Sequence, residues 1–237
     1  MKMRLLPQID LVRAMPLDRI ERKKSLEQIS FFRPPLTYNP MRASAADLMN
    51  MQPGVFSAVP ATWEQIAHDV TARSKHAEER DQNLIVAKLV YDDTKIRDIT
   101  SFHQEFFPLK IGISSGVTLW NNFYFVDQEV PVFLFFDPRR TRGLNSQARN
   151  IVFSLMHQRI RVEGSDFESA EFAIYRFPAN DGDDRHLRIY TSEKAEFYPY
   201  DQLEQMIVEV YAQWEEVLAE REHEKRKSAG GKRGSLI

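Results

Sequence analysis

The sequence contains no cysteine. That excludes disulfides, thiolate nucleophiles and cysteine-ligated zinc, and it makes a reducing cytoplasm the expected compartment. Long apolar runs are missing too. The most hydrophobic stretch, Val130 to Phe136, is far too short to cross a bilayer, so no membrane partner is expected. The opening, Met1 to Pro16, is broken by Asp10 before the apolar core of a signal peptide could form. Glycine is scarce, with 9 in 237 residues, and no phosphate loop or dinucleotide fingerprint occurs. Gly112-Ile113-Ser114-Ser115-Gly116 has the outline G-x-S-x-G. Ile113 and Val117 suit a strand turn there, and no helix start follows, so a serine nucleophile is not read at this place. Excess charge is absent as well: 32 basic residues face 34 acidic ones. Any binding of a polyanion would therefore need a local basic patch.

What is present is the composition of an ordinary globular protein, 43% hydrophobic and 28% charged. Residues 1 to 60 read as an extended N-terminal arm that docks on the body or on a partner. It holds a short charged helix over residues 17 to 30. The segment 31–40 follows, with three prolines and the aromatics Phe31 and Phe32. Residues 61 to 220 read as one α+β domain. Thr62-Trp63-Glu64-Gln65 is a capping-box match that opens the first helical region.

Three strand candidates follow, Leu109 to Ile113, Phe123 to Val126 and Val130 to Phe136. The last two are joined by the tight turn Asp127-Gln128-Glu129. Neither of those two strands alternates. Phe133, Leu134 and Phe135 in succession leave no wet face, so a mixed central sheet covered by helices on both faces is expected. A helix from Ser146 to Val162 comes next. A hairpin follows, Glu171 to Phe177 and Arg185 to Thr191, around the acidic turn Ala179 to Asp184. The last helix is expected from Asp201, with a second capping box and an apolar stripe of Leu203, Ile207, Val210, Trp214 and Val217. Residues 221–237 read as a mobile basic tail. The element order is thus α-βββ-α-ββ-α.

Six arginines, no lysine and one carboxylate, Asp137, fall between Asp137 and Arg161. Choosing arginine at every basic position suits bidentate contacts to phosphate or carboxylate. At helical periodicity Asn150, Ser154, His157 and Arg161 centre one polar arc. Arg159 falls inside the apolar arc and calls for a carboxylate partner, with Asp137, Asp166 and Glu168 as candidates. The expected ligand-binding or phosphate-binding set is Arg139, Arg140, Arg142, Asn150, Ser154, His157 and Arg161. Arg139, Arg140, His157 and Arg161 are expected to converge at the end of the central strand. Asp137 and His157 are the candidates for any catalysis. The competing reading is structural: a solvated polar face and arginines that only form ion pairs. His103 and Glu105 are two metal-ligating types at a spacing that chance often supplies, so no metal site is assigned.

The order helix, three strands, helix, strand over residues 62 to 177 resembles the core of the PD-(D/E)XK nucleases. The resemblance implies a magnesium site built from acids on the second and third strands. Those positions read Phe123 to Val126 and Phe133-Leu134-Phe135, and Asp137-Pro138-Arg139 is the nearest echo.

Three functions stand in order. The first is a non-catalytic nucleic-acid-associated protein using the arginine-rich surface, with no cofactor. The second is a protein-interaction or assembly subunit in which the arginines are structural, with a partner or a second copy held by the helix 201–220 and the arm 31–40. The third is a metal-dependent nuclease with a rearranged site, the only reading that needs magnesium.

Overall fold

A computed structural model describes residues 4–29, 36–52, 59–180 and 184–231. The fold is α+β. Six strands form one mixed sheet in sequential order: β1 (Met51–Gln52), β2 (Ser101–His103), β3 (Phe123–Asp127), β4 (Val130–Asp137), β5 (Glu171–Arg176) and β6 (Arg188–Thr191). β3 runs antiparallel to both of its neighbours, β2 and β4, and β6 runs antiparallel to β5, whereas β1 runs parallel to β2 and β4 parallel to β5.

The unbroken apolar run of β4 has the reason expected of it. Phe133 and Phe135 lie in one buried cluster, with Phe172 and Ile174 of β5. Leu134 and Phe136 lie in a second, with Ala173 and Tyr175. Side chains alternate across a strand, so two clusters with interleaved members are the two faces of the sheet. The first face is covered by α1 (Gln8–Ala14), α7 (Ser146–Met156) and α8 (Tyr200–Gly231). The second is covered by α3 (Asn39–Ala43), α4 (Ala45–Leu48), α5 (Trp63–Arg73) and α6 (Ala77–Ile96).

Local signals fix several boundaries. Thr62 and Gln65 form the reciprocal capping box that opens α5. Asn145 caps α7 by accepting from the Ala148 amide at 2.8 Å. The two-residue connection from β3 to β4 places Gln128 and Glu129 at φ 48° and 70°, the left-handed pair that a tight hairpin demands.

Four expectations are corrected. The N-terminal segment is not simply extended: it forms α1, α2 (Arg19–Glu27), α3 and α4, and ends in β1. Its apolar residues explain this, because Ile9, Leu11 and Val12 join the first cluster while Met41, Leu48 and Met49 join the second. Residues 31–35 of the expected extended stretch lie outside the described residues, as do Pro53, Gly54, residues 181–183 of the acidic turn and residues 232–237 of the tail. Leu109 to Ile113 is not a sheet strand. Leu109 bridges Val117 alone, and the third strand of that block is β2, paired Ser101 to Phe125. Gly112 interrupts the run at φ 64°, where an added Cβ would lie 2.9 Å from Ile207 of α8, so this turn is packed against the last helix. Finally, α8 begins at Tyr200, which puts Asp201 inside the first turn, and it continues to Gly231.

Candidate functional site

β4 ends at Asp137, and the strand order places one neighbour of that residue directly. β5 lies parallel to β4 with Arg176 in register with Asp137. The Asp137 carboxylate is completely buried. It accepts from the amides of Leu144 at 2.7 Å and Arg139 at 3.4 Å, and Arg176 Nε stands 3.0 Å away. The carboxylate is thus turned into the chain's own loop and away from solvent.

Arg139 leaves the sheet and donates Nη1 and Nη2 to Asp10 of α1 at 2.5 and 2.8 Å. Burial works against its charge, but the Asp10 carboxylate outweighs that and the pKa is raised. Arg140 is half-buried near Arg185, and Arg142 is exposed at φ 54°. Arg185 is itself buried and donates to the Phe177 carbonyl at 2.9 and 3.0 Å, to the Pro138 carbonyl and to the Tyr38 hydroxyl at 2.8 Å. Arg149 donates to the Leu144 carbonyl at 3.1 Å and lies over the Tyr190 ring.

The expected polar arc of α7 is not a wet face. Ser154 is fully buried. Its hydroxyl donates to the Asn150 carbonyl at 2.6 Å and accepts from the Tyr198 amide at 2.9 Å. His157 opens a π-helical turn, His157–Arg161, and packs against Phe197 with ring centroids 4.9 Å apart. Its Nδ1 is buried without a partner, and burial first, then Arg161, lowers its pKa. Arg161 donates Nε to the Ala170 carbonyl at 2.5 Å and lies over Phe172 and Phe197. Arg159 pairs with Glu163, one helical turn on, and not with Asp137, Asp166 or Glu168.

The expected convergence is therefore split. A helix linking two parallel strands runs back along the sheet, so its start lies beside the end of β4 and its end beside the start of β5. Asn145 and Arg149 stand at the Asp137 end, while His157 and Arg161 stand at the Ala170 end, the length of a strand away.

What does gather near Asp137 comes largely from elsewhere. Arg13 of α1 stands beside Arg139, and Arg42 of α3 donates Nη2 to the Phe136 carbonyl at 3.3 Å. Burial lowers the pKa of both; at Arg13 the neighbouring Arg139 is the next cause, and at Arg42 Asp137 opposes the lowering while Arg139 adds to it. Sequence patterning gave no sign of either residue, since only tertiary contact brings the N-terminal segment to this end of the sheet. Among the described residues no three histidine, aspartate or glutamate side chains are grouped to hold a metal ion, and no helix is long and apolar enough to cross a membrane.

Comparison with known proteins gives two matches. The family described as "Sliding clamp-binding bacterial toxin SocB" matches residues 9–224. The "DNA replication inhibitor toxin SocB" of Caulobacter vibrioides (strain NA1000 / CB15N) is 32% identical over 231 residues, covering 98% of this chain and 97% of that protein. No solved structure matches. These similarities overturn the expectation of a nucleic-acid-associated protein, because the shared family is described by its binding to a protein. The nuclease alternative finds no support in them either.

Proposed function

Since the chain belongs to the family of sliding clamp-binding bacterial toxins called SocB, we propose that it binds a replication sliding clamp and inhibits DNA replication by occupying it. The observation that carries this reading is the family match across residues 9–224, which spans every element of the sheet and the first three quarters of α8. A ligand of the clamp must share its compartment, so the bacterial cytoplasm is where the chain would act.

Two segments were candidates for holding a partner. The apolar stripe of α8 is taken up by the chain itself: Leu203, Ile207, Val210, Trp214 and Val217 are all buried in the first core cluster. That favours the arm. Its residues Phe31 and Phe32, followed by Arg33-Pro34-Pro35, lie outside the described residues, and the reading rests on their types and on what flanks them. On one side Arg221 of α8 donates to the Ile29 carbonyl at 3.1 Å. On the other, Glu79 of α6 accepts from the Thr37 amide at 3.0 Å and from its hydroxyl at 2.6 Å. Two adjacent aromatics between fixed ends, in a proline-rich stretch, are suited to an apolar groove at a low ordering cost.

The test is a binding measurement between the purified chain and the sliding clamp of the same bacterium. The expected result is a saturable complex that weakens by roughly 30-fold or more in the Phe31→Ala/Phe32→Ala double variant, as for interface anchors worth about 2 kcal/mol. No complex with the intact chain would overturn the function. A complex untouched by the double variant would move the contact away from the arm.

A further inference from the structure

The cleft between the N-terminal segment and the end of β4 is where positive charge is left without an acid. It has a volume of about 420 Å³, and its lining includes Gln8, Tyr38, Asn39, Arg42, Pro138 and Arg139. That size is within the range of small-molecule sites. Arg139 is committed to Asp10, and Asp137 beneath is matched by Arg176. Arg42 gives one hydrogen bond, to the Phe136 carbonyl, and neither it nor Arg13 has a carboxylate within ion-pair distance among the described residues. Three guanidiniums, Arg13, Arg42 and Arg139, thus face the single carboxylate of Asp10, and about two positive charges remain. Burial first, with Arg139 adding to it, depresses the pKa of Arg13 and Arg42 by more than the nearby acids Asp10 and Asp137 raise it.

A guanidinium carries five donors in a fixed fork, so Arg42 retains several beyond the one it uses. The lining of the cleft therefore combines a planar donor and surplus charge with the ring of Tyr38, Pro138 and Pro7. We propose that it is an anion site for a small phosphate monoester, the phosphate held by Arg42 in the field of Arg13 and Arg139, the organic part against Tyr38 and Pro138. A monoester is largely dianionic near neutral pH and matches two surplus charges. A backbone phosphodiester carries a single charge and does not, so nucleic acid is not the ligand of this cleft. The inference is independent of the clamp reading.

Titration of the full chain with phenyl phosphate, inorganic phosphate and benzenesulfonate, at constant ionic strength, tests it. Phenyl phosphate is expected to bind most tightly, ahead of inorganic phosphate, which lacks the ring, and of benzenesulfonate, which carries one charge. Arg42→Gln is expected to weaken phenyl phosphate about tenfold or more, the loss of one charge-assisted contact, with the melting temperature little changed. Equal and weak binding of all three anions would overturn the proposal, as would unchanged affinity in a folded Arg42→Gln variant. Should that variant not fold, guanidinium nitrogen spectra of the unsubstituted protein decide. Shifts with phenyl phosphate at Arg42 and Arg13 support the site, and no shift at either removes it.

Discussion

Asp137 and Arg176 are register partners across the parallel β4–β5 pair, and their side chains meet at 3.0 Å on a carboxylate with no solvent exposure. The Arg176 Nε lies within ion-pair distance without the alignment of a hydrogen bond, while its Nη1 donates to the Leu144 carbonyl at 3.0 Å. The pair therefore fixes the loop from Asp137 to Leu144 from both sides, and that loop sets where α7 begins.

Removing Arg176 alone should be far worse than neutralising both partners, because it strands a buried carboxylate. Arg176→Met is expected to cost about 3 kcal/mol or more, and the Asp137→Asn/Arg176→Met double variant less than the sum of its singles. Urea denaturation of the four proteins completes the cycle. Strict additivity would mean that the pair is not coupled.

Gly143 sits inside the same loop. A Cβ there would lie 2.6 Å from Asp137 Oδ2 and collide with the Arg176 guanidinium. Gly143→Ala should destabilise the chain although the glycine has an ordinary φ, and pairing it with Arg176→Met should relieve part of the loss. A melting temperature equal to that of the parent would show that the loop yields freely.

Trp214 is buried against the first face of the sheet, and its Nε1 donates to the Arg4 carbonyl at 2.8 Å. Trp214→Ala is expected to cost about 3–5 kcal/mol. Because the ring packs within one chain, a change in sedimentation of the folded protein without loss of stability would contradict this placement.

His157 gives a pH dependence with a definite sign. Burial and Arg161 hold its folded pKa below the ordinary 6.5, so the unfolded chain binds the proton more readily. Its contribution to stability is present above pH 6.5 and is lost as pH falls from there through the lower folded value. Melting temperatures measured from pH 7.5 to pH 5 should decline less steeply in His157→Gln than in the parent. Parallel curves would assign the acid loss to other groups.

The elements that could be read from sequence were those whose cause is local. Three consecutive apolar residues, Phe133 to Phe135, announce a strand covered twice, and Thr62 with Gln65 announces a helix start. β1 and β2 are too short to carry a pattern and exist only through pairing with a sheet already formed. Ser154 looked solvated because nothing on α7 reveals that the Tyr198 segment lies over it. The partner of Arg159 was within reach, since Glu163 stands four residues on, but ending the helix at Val162 hid the pair. Arg13 and Arg42 could not be assigned to the Asp137 end by any spacing, because the N-terminal segment reaches it from both faces of the sheet.

That two-faced docking orders events during synthesis. The helices α1 and α2 are among the first parts made, yet their seats are among the last. Arg4 waits for Trp214, the Leu6 amide for the Tyr211 hydroxyl at 3.4 Å, and the Arg19 carbonyl for Gln213 at 2.7 Å. Contacts spanning some two hundred residues close the longest loops the chain can form, and an apolar face stays uncovered until α8 arrives. A nascent chain stopped before α8 would present that face to chaperones and proteases.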